Sequence, residues 1–172
     1  FFSATPDGDH IIVNRNIDGG RAPQRRNVFE TAARVKNPPK IIVYVQPEKD
    51  LSEFFEQLMQ PILDGEADIV IPARQQDLFD SSYPDYMVKA EKEVNNTYNR
   101  CLRRKRLIAE NENFDWFFGP VIFRNDPEIL SLFMEKYEMS QSIYSRTGAE
   151  PNPEKHSGSH YFPIVKALWE GK

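Results

Sequence analysis

Lys40-Ile41-Ile42-Val43-Tyr44-Val45 and Ala67-Asp68-Ile69-Val70-Ile71-Pro72 are two short apolar runs with a helix-spaced pattern between them. That order decides the fold reading. A nearly unbroken apolar run reads as a strand buried on both faces, the habit of central parallel strands. The intervening pattern opens on Asp50 and Glu53, a D-x-x-E variant of the capping box. Phe54, Phe55, Leu58, Met59, Ile62 and Leu63 then recur at helical spacing. Pro61 is expected to kink or shorten the last turn, and Gly65 to close it. Strand, helix, strand predicts a crossover unit.

Working outward, His10-Ile11-Ile12-Val13 reads as a further strand, followed by a polar loop that runs to Gly20. Pro23 opens a helical pattern with Val28, Phe29, Ala32 and Ala33 on one face. Residues 73–83 read as a loop. A longer helix follows, with Met87, Ala90, Val94, Tyr98, Cys101 and Leu102 as its apolar stripe. Residues 117–123 read as a strand with Gly119-Pro120 at a bend or at its start, and Asp126-Pro127-Glu128 as a capped helix start leading into Ile129, Leu130, Phe133, Met134 and Tyr137. Residues 140–159, rich in Ser, Gly, Pro and Asn, read as a mobile loop, and 163–169 as a last helix before Gly171. The expectation is one α/β domain over residues 1–172 with a mostly parallel central sheet. Ligands of such sheets sit beyond the carboxyl ends of the strands, which selects the loops 14–24, 46–50 and 73–83.

Composition narrows the function. Of 172 residues, 40% are apolar and 28% charged, enough for a packed core. Mean hydropathy is -0.62, and no window approaches the ~20 apolar residues of a membrane span. The lone Cys101 excludes an internal disulfide and a cysteine zinc cluster, a usage that suits a reducing, cytoplasmic setting. With 22 basic and 26 acidic residues the net charge is -4, so a general nucleic-acid binder is disfavoured and an anionic partner must be met by a local patch. The first residues lack an initiator Met and a basic leader, and the expectation is a piece of a longer chain without a signal peptide.

Several clusters carry chemistry, each with a plain structural alternative. Gly19-Gly20-Arg21-Ala22-Pro23-Gln24-Arg25-Arg26 sets two glycines and three arginines at a helix N-terminus, which suits a diphosphate, or is a glycine turn before a solvated helix. Its spacing is not that of a P-loop. Gln46-Pro47-Glu48-Lys49-Asp50 follows the first apolar run; Glu48 is a candidate ligand for magnesium or manganese, while Asp50 is accounted for as a helix cap. Asp115, among Trp116, Phe117 and Phe118, is either a carboxylate of raised pKa able to act as a general base or a loop residue before a core strand. His156 and His160 are loop histidines or late metal ligands. Arg100, Arg103, Arg104, Lys105 and Arg106 either complement a helix dipole or meet an anionic partner. Asn95-Asn96-Thr97 is a formal glycosylation sequon in mid-helix.

Gly65-Glu66-Ala67-Asp68-Ile69-Val70-Ile71-Pro72-Ala73-Arg74 resembles the G-A-D-[IV]-V-x-[GP]-x-R stretch of the GT-A nucleotide-sugar glycosyltransferases, in particular the family-2 type around dolichyl-phosphate-mannose synthase. The turn at 20–26 is similar to that family's G-x-G-x-x-R turn, and residues 114–120 fall where it places an acceptor-side acidic residue. Where the family has D-x-D, this chain has Gln46-Pro47-Glu48; the family's first strand has no counterpart, and Q-x-x-R-W is absent.

The resemblance implies a GT-A three-layer sandwich lacking its first strand. It implies an inverting transferase that moves a sugar from a nucleoside-diphosphate sugar to an unknown acceptor. In that reading Gly20, Arg21, Gln24, Arg25 and Arg26 take the diphosphate, and Arg74 and Tyr83 line the sugar pocket. Glu48 and His160 hold the divalent cation, and Asp115 is the base. The alternative is a non-catalytic GT-A-like binding module that has lost its metal site and docks through the basic helix end. A nucleotidyltransferase is disfavoured by the lack of a glycine-rich start.

Overall fold

A computed structural model describes residues 20–46, 49–138 and 160–172. The expected strand at His10-Ile11-Ile12-Val13, the candidate ligand Glu48 and the expected loop at 140–159 lie outside the described residues. In chain order the elements are α1 (Arg21–Ala33), β1 (Ile41–Tyr44), a short 3-10 turn (Ser52–Phe54), α2 (Phe55–Leu63), β2 (Ile69–Val70), α3 (Gln76–Ser82), α4 (Asp85–Arg104), β3 (Val121–Arg124), α5 (Pro127–Met134) and α6 (Tyr161–Glu170). They group into two compact units, one of residues up to 42 with 125–164, the other of 43–124 with 165–172.

In the first unit α1 packs on α5, with the rings of Phe29 and Phe133 edge to face at 5.6 Å. Val28, expected on that face, is 43% exposed. Asp126 caps α5 as its sequence predicts: one carboxylate oxygen accepts from the N–H groups of Glu128 and Ile129, each at 2.9 Å, with Pro127 opening the helix. Ile129, Leu132 and Phe133 are buried, and the Tyr137 hydroxyl donates to the Leu132 carbonyl at 3.0 Å.

The sheet has the order β1-β3-β2, with β2, β3 and the second half of β1 in the second unit. β3 pairs antiparallel with β2, in the register Ile69 to Phe123 and Val70 to Ile122. The Arg124 N–H continues the ladder to the Asp68 carbonyl at 2.9 Å, and the two side chains form an ion pair at 2.7 Å. β1 also runs against β3: Asn125, just after β3, donates to the carbonyl of Lys40, just before β1. A mostly parallel sheet is therefore corrected to an antiparallel one. The crossover through α2 does carry β1 and β2 in the same direction, but it leaves a strand-wide gap that β3 fills from the opposite direction. Being paired on both sides, β3 is also the central strand; Ile122 and Phe123 are 0% exposed, whereas only Ile42 of β1 is buried.

α2 packs on β2 and β3, and its end follows the expected devices. Its start is corrected: the capping box at Asp50 and Glu53 does not form, because a 3-10 turn comes first and neither that turn nor α2 has a side-chain cap, so Asp50 bonds only locally ahead of them. Asp50 accepts from the Ser52 N–H at 3.1 Å, Pro61 lies two residues before the end at Leu63, and Gly65 turns the chain at φ 74°. The loop expected at 73–83 is corrected as well, because most of it is helix α3. Phe79 is its buried anchor, and Asp80 pairs with Lys92 of α4 at 2.6 Å.

Replacing the capping carboxylate in Asp126→Ala is expected to cost about 1 kcal/mol, read as a lower urea midpoint with an unchanged slope.

Candidate functional site at the sheet edge

Since β3 runs opposite to β1 and β2, its approach reaches the same sheet edge as their exits. Gln46 and Lys49 follow β1, Arg74 follows β2, and residues 114–120 lead into β3. All belong to the second unit.

Arg74 and Asp115 form the centre. The Arg74 guanidinium grips the carboxylate with two parallel bonds, Nε to Oδ2 and Nη2 to Oδ1, both 2.7 Å; the Arg74 backbone N–H adds a third to Oδ2 at 3.2 Å. The remaining nitrogen, Nη1, donates to Glu91 at 2.7 Å. The guanidinium lies 3.8 Å over the ring of Phe79, with Tyr83 and Phe118 at 5.9 and 6.0 Å. Side-chain exposure is 11% for Arg74 and 14% for Asp115, so both charges are largely out of water. Such a pair holds only when the geometry is good and the spare hydrogen-bonding capacity is filled.

It is filled from α4. Asn95 Nδ2 donates to Asp115 Oδ1 at 3.0 Å, giving each carboxylate oxygen two donors. Asn95 Oδ1 accepts the Trp116 N–H at 2.9 Å. One turn on, Asn99, 2% exposed, exchanges two bonds with the Phe114 backbone, Nδ2 to the carbonyl at 2.9 Å and Oδ1 from the N–H at 3.1 Å. Its Oδ1 also accepts the indole N–H of the buried Trp116 at 3.1 Å. A primary amide offers the same donor and acceptor as a peptide group. The two asparagines thus give 114–116 the partners that a neighbouring strand would.

These contacts set the titration of Asp115. Burial alone would raise its pKa, but the hydrogen bonds and charge of Arg74, with Asn95, hold the carboxyl below the ordinary aspartate value. The raised pKa expected from its aromatic neighbours is corrected: the rings are there, but Arg74 outweighs them. Burial also opposes the charge on Arg74, and the two carboxylates reverse that effect and keep it firmly protonated.

At the exit of β1 the Lys49 ammonium donates to Gln46 Oε1 and to the Phe118 carbonyl, and stands 5.2 Å from the centroid of the Phe118 ring. Gly119 takes φ 97°, and a Cβ there would sit 2.9 Å from Gln46 Oε1, so the Gln46 side chain occupies the space glycine leaves.

Among the sequence-predicted residues, Arg74, Tyr83 and Asp115 come together. Arg74, expected to line a sugar pocket, has all three of its nitrogens on carboxylates. Tyr83 packs its ring 4.9 Å from that of Phe79 and keeps 38% exposure. Gly20, Arg21, Gln24, Arg25, Arg26 and His160 belong to the first unit. There Gly20 precedes α1 at φ 109° with no side-chain cap, and Arg21 and Gln24 are exposed. The ring of His160 packs 3.8 Å from that of Tyr161.

Sequence reasoning missed Glu91, Asn95 and Asn99, and it had a signal for them. They lie at i, i+4 and i+8 between the buried Val88 and Leu102, a single helical stripe. The inward face is that stripe. The apolar one expected to be inward leaves Ala90, Tyr98 and Cys101 exposed. Compared with models of protein families, with curated proteins and with solved structures, the chain matches none.

Two outcomes follow for solution measurements. Asn99→Ala removes the Asn99 bonds to the Trp116 indole and to the Phe114 peptide, an expected loss of about 3 kcal/mol with a shift in tryptophan emission. Asp115 has its folded pKa below the unfolded value of 3.8. Its stabilisation is therefore complete above that value and drains away as pH falls through the folded pKa. Asp115→Asn should be less stable at neutral pH by about 3 kcal/mol, and its acid-unfolding curve should lack that share of the decline.

Proposed function

We propose that the chain binds a nucleoside-diphosphate sugar and transfers the sugar to an acceptor hydroxyl, in the manner of a GT-A glycosyltransferase. The observation that carries this reading is the meeting of two strand exits and one strand approach at a single sheet edge, with an ionised aspartate fixed between them. Ligands of sheets with helical crossovers collect beyond strand ends of this kind.

In this reading Asp115 faces the acceptor. Its carboxylate is ionised across the neutral range, and the hydroxyl displaces Asn95, its one donor from outside Arg74, to hand over a proton as the new bond forms. The depressed pKa lowers the driving force for proton uptake, and the fixed position compensates by alignment. Lys49 supplies positive charge toward a departing diphosphate. By itself, the uncapped N-terminus of α1 with Arg21, Arg25 and Arg26 suits phosphate oxygens. A divalent cation does not fit the described part of the loop after β1, which presents the Lys49 ammonium already bound to Gln46, so no step is routed through one. Among the described residues no group of three or more His, Cys, Asp or Glu side chains is placed to hold a metal.

One observation favours a second reading, a non-catalytic binding module. Each Asp115 oxygen already has two donors, which is the capacity of a carboxylate.

Calorimetry with UDP, GDP and their sugars, with and without manganese, is expected to show binding that falls about tenfold in Lys49→Ala. Absence of binding to every one of these removes the proposal. Release of nucleotide from the bound donor separates the two readings: a transferase loses about 100-fold or more of its rate in Asp115→Asn while still binding nucleotide, and a binding module shows no release in the unaltered chain.

A further inference from the structure

The end of α4 carries Arg100, Arg103, Arg104, Lys105 and Arg106. Arg103 is engaged within the fold, donating to the Glu110 carbonyl at 3.1 Å and to Asn113 Oδ1 at 2.5 Å. Arg100, Arg104, Lys105 and Arg106 are exposed, and among the described residues none of the four pairs with an acidic side chain. The five make up a large share of the basic residues: without them the chain has 17 basic (22 less 5) against 26 acidic, a net of -9. The cationic end is thus isolated on an otherwise acidic protein.

Helix electrostatics accounts for a cation or two in a last turn, not for four. Arg100 and Arg104 are one turn apart and repel. Arg106 adopts φ 57°, the conformation that favours glycine. The Leu107 N–H closes back on the Leu102 carbonyl at 3.0 Å and the Arg106 N–H on that of Arg103 at 2.8 Å, a Schellman closure with arginine where glycine usually stands. Arginine in that conformation costs stability that glycine would not.

We propose that this end of α4 docks the protein on an anionic phospholipid surface. The helix terminus presents carbonyls, not N–H groups, so it forms no cradle for a discrete phosphate, and the four exposed cations act as a diffuse patch. A single-stranded nucleic acid stacks successive bases on several aromatic faces beside the cations, whereas the stretch 100–106 holds no aromatic residue and Tyr98, 43% exposed, is a single ring before it. A leaflet asks only for a dense local cluster of positive charge, effective within a Debye length. Each cation near such a surface raises partition about fivefold. One patch without an inserted chain gives weak, salt-sensitive attachment.

The test is co-sedimentation of the chain with vesicles of phosphatidylcholine alone or with about one-third phosphatidylserine, at ~0.1 M salt. Pelleting is expected with the anionic vesicles only, and is lost at about 0.5 M salt. Reversing two charges in the pair R104E and K105E should lower partition at least about tenfold. Arg106→Gly separates docking from folding: glycine relieves the backbone, so the urea midpoint should rise while partition falls about fivefold. Equal pelleting with neutral vesicles, no pelleting with anionic ones, or unchanged partition in Arg106→Gly would each overturn the proposal. So would displacement of the protein from the vesicles by polyuridylate at the same salt, which assigns the patch to nucleic acid.

Discussion

A guanidinium and a carboxylate withdrawn from water must satisfy each other, and the second unit is arranged around that demand. The bidentate bond between Arg74 and Asp115 joins the exit of β2 to the approach of β3. Glu91 brings α4 to the same point, and Phe79 brings α3 beneath the guanidinium plane. Exchange of such a pair for apolar side chains is often neutral in stability, whereas loss of one partner strands a buried charge. What the pair confers here is location. It defines which atoms of four segments meet, and it holds Asp115 ionised.

The polar inner face of α4 follows from the same demand. Among the described residues no strand flanks 114–116, so their peptide groups take partners from elsewhere. Asn95 and Asn99 provide them and leave Trp116 packed and hydrogen-bonded. A helix face lined with amides therefore does the work of a strand, and Asn95 reaches past the backbone to the Asp115 carboxylate. Scaffold and site share the same side chains.

Much of this was legible in the sequence, in pieces. The Asp126 cap, the α2 pattern and the turn at Gly65 were readable because each rests on neighbours within a few residues. Arg74 and Asp115 both stood out as functional candidates, but as separate ones. Forty-one positions separate them, and nothing local reports a bond over that distance. The insertion of β3 between β1 and β2 was hidden for a similar reason, since chain order reveals a crossover but not which strand enters its gap. α3 escaped because its Asp and Ser residues resemble a loop and only Leu78 and Phe79 interrupt them. The face of α4 was misjudged because apolar spacing was weighed ahead of the polar Glu91, Asn95 and Asn99 at i, i+4 and i+8, although the buried Val88 and Leu102 bracket them.

The stretch from Asp115 to Pro120 carries a further consequence. At one end it is clamped to Arg74 and the two asparagines; at the other it becomes strand β3, buried from Val121 to Phe123, whose register with β2 is set residue by residue. Between them Gly119 makes a left-handed turn whose vacant side is filled by Gln46. Surface connections ordinarily absorb added or deleted residues, but this one has no slack: an inserted residue would turn either the carboxylate or the strand to the wrong side. An added residue is thus better accommodated in the exposed stretch 109–113, and the short span beyond it behaves as a gauge block whose length is held by both of its ends.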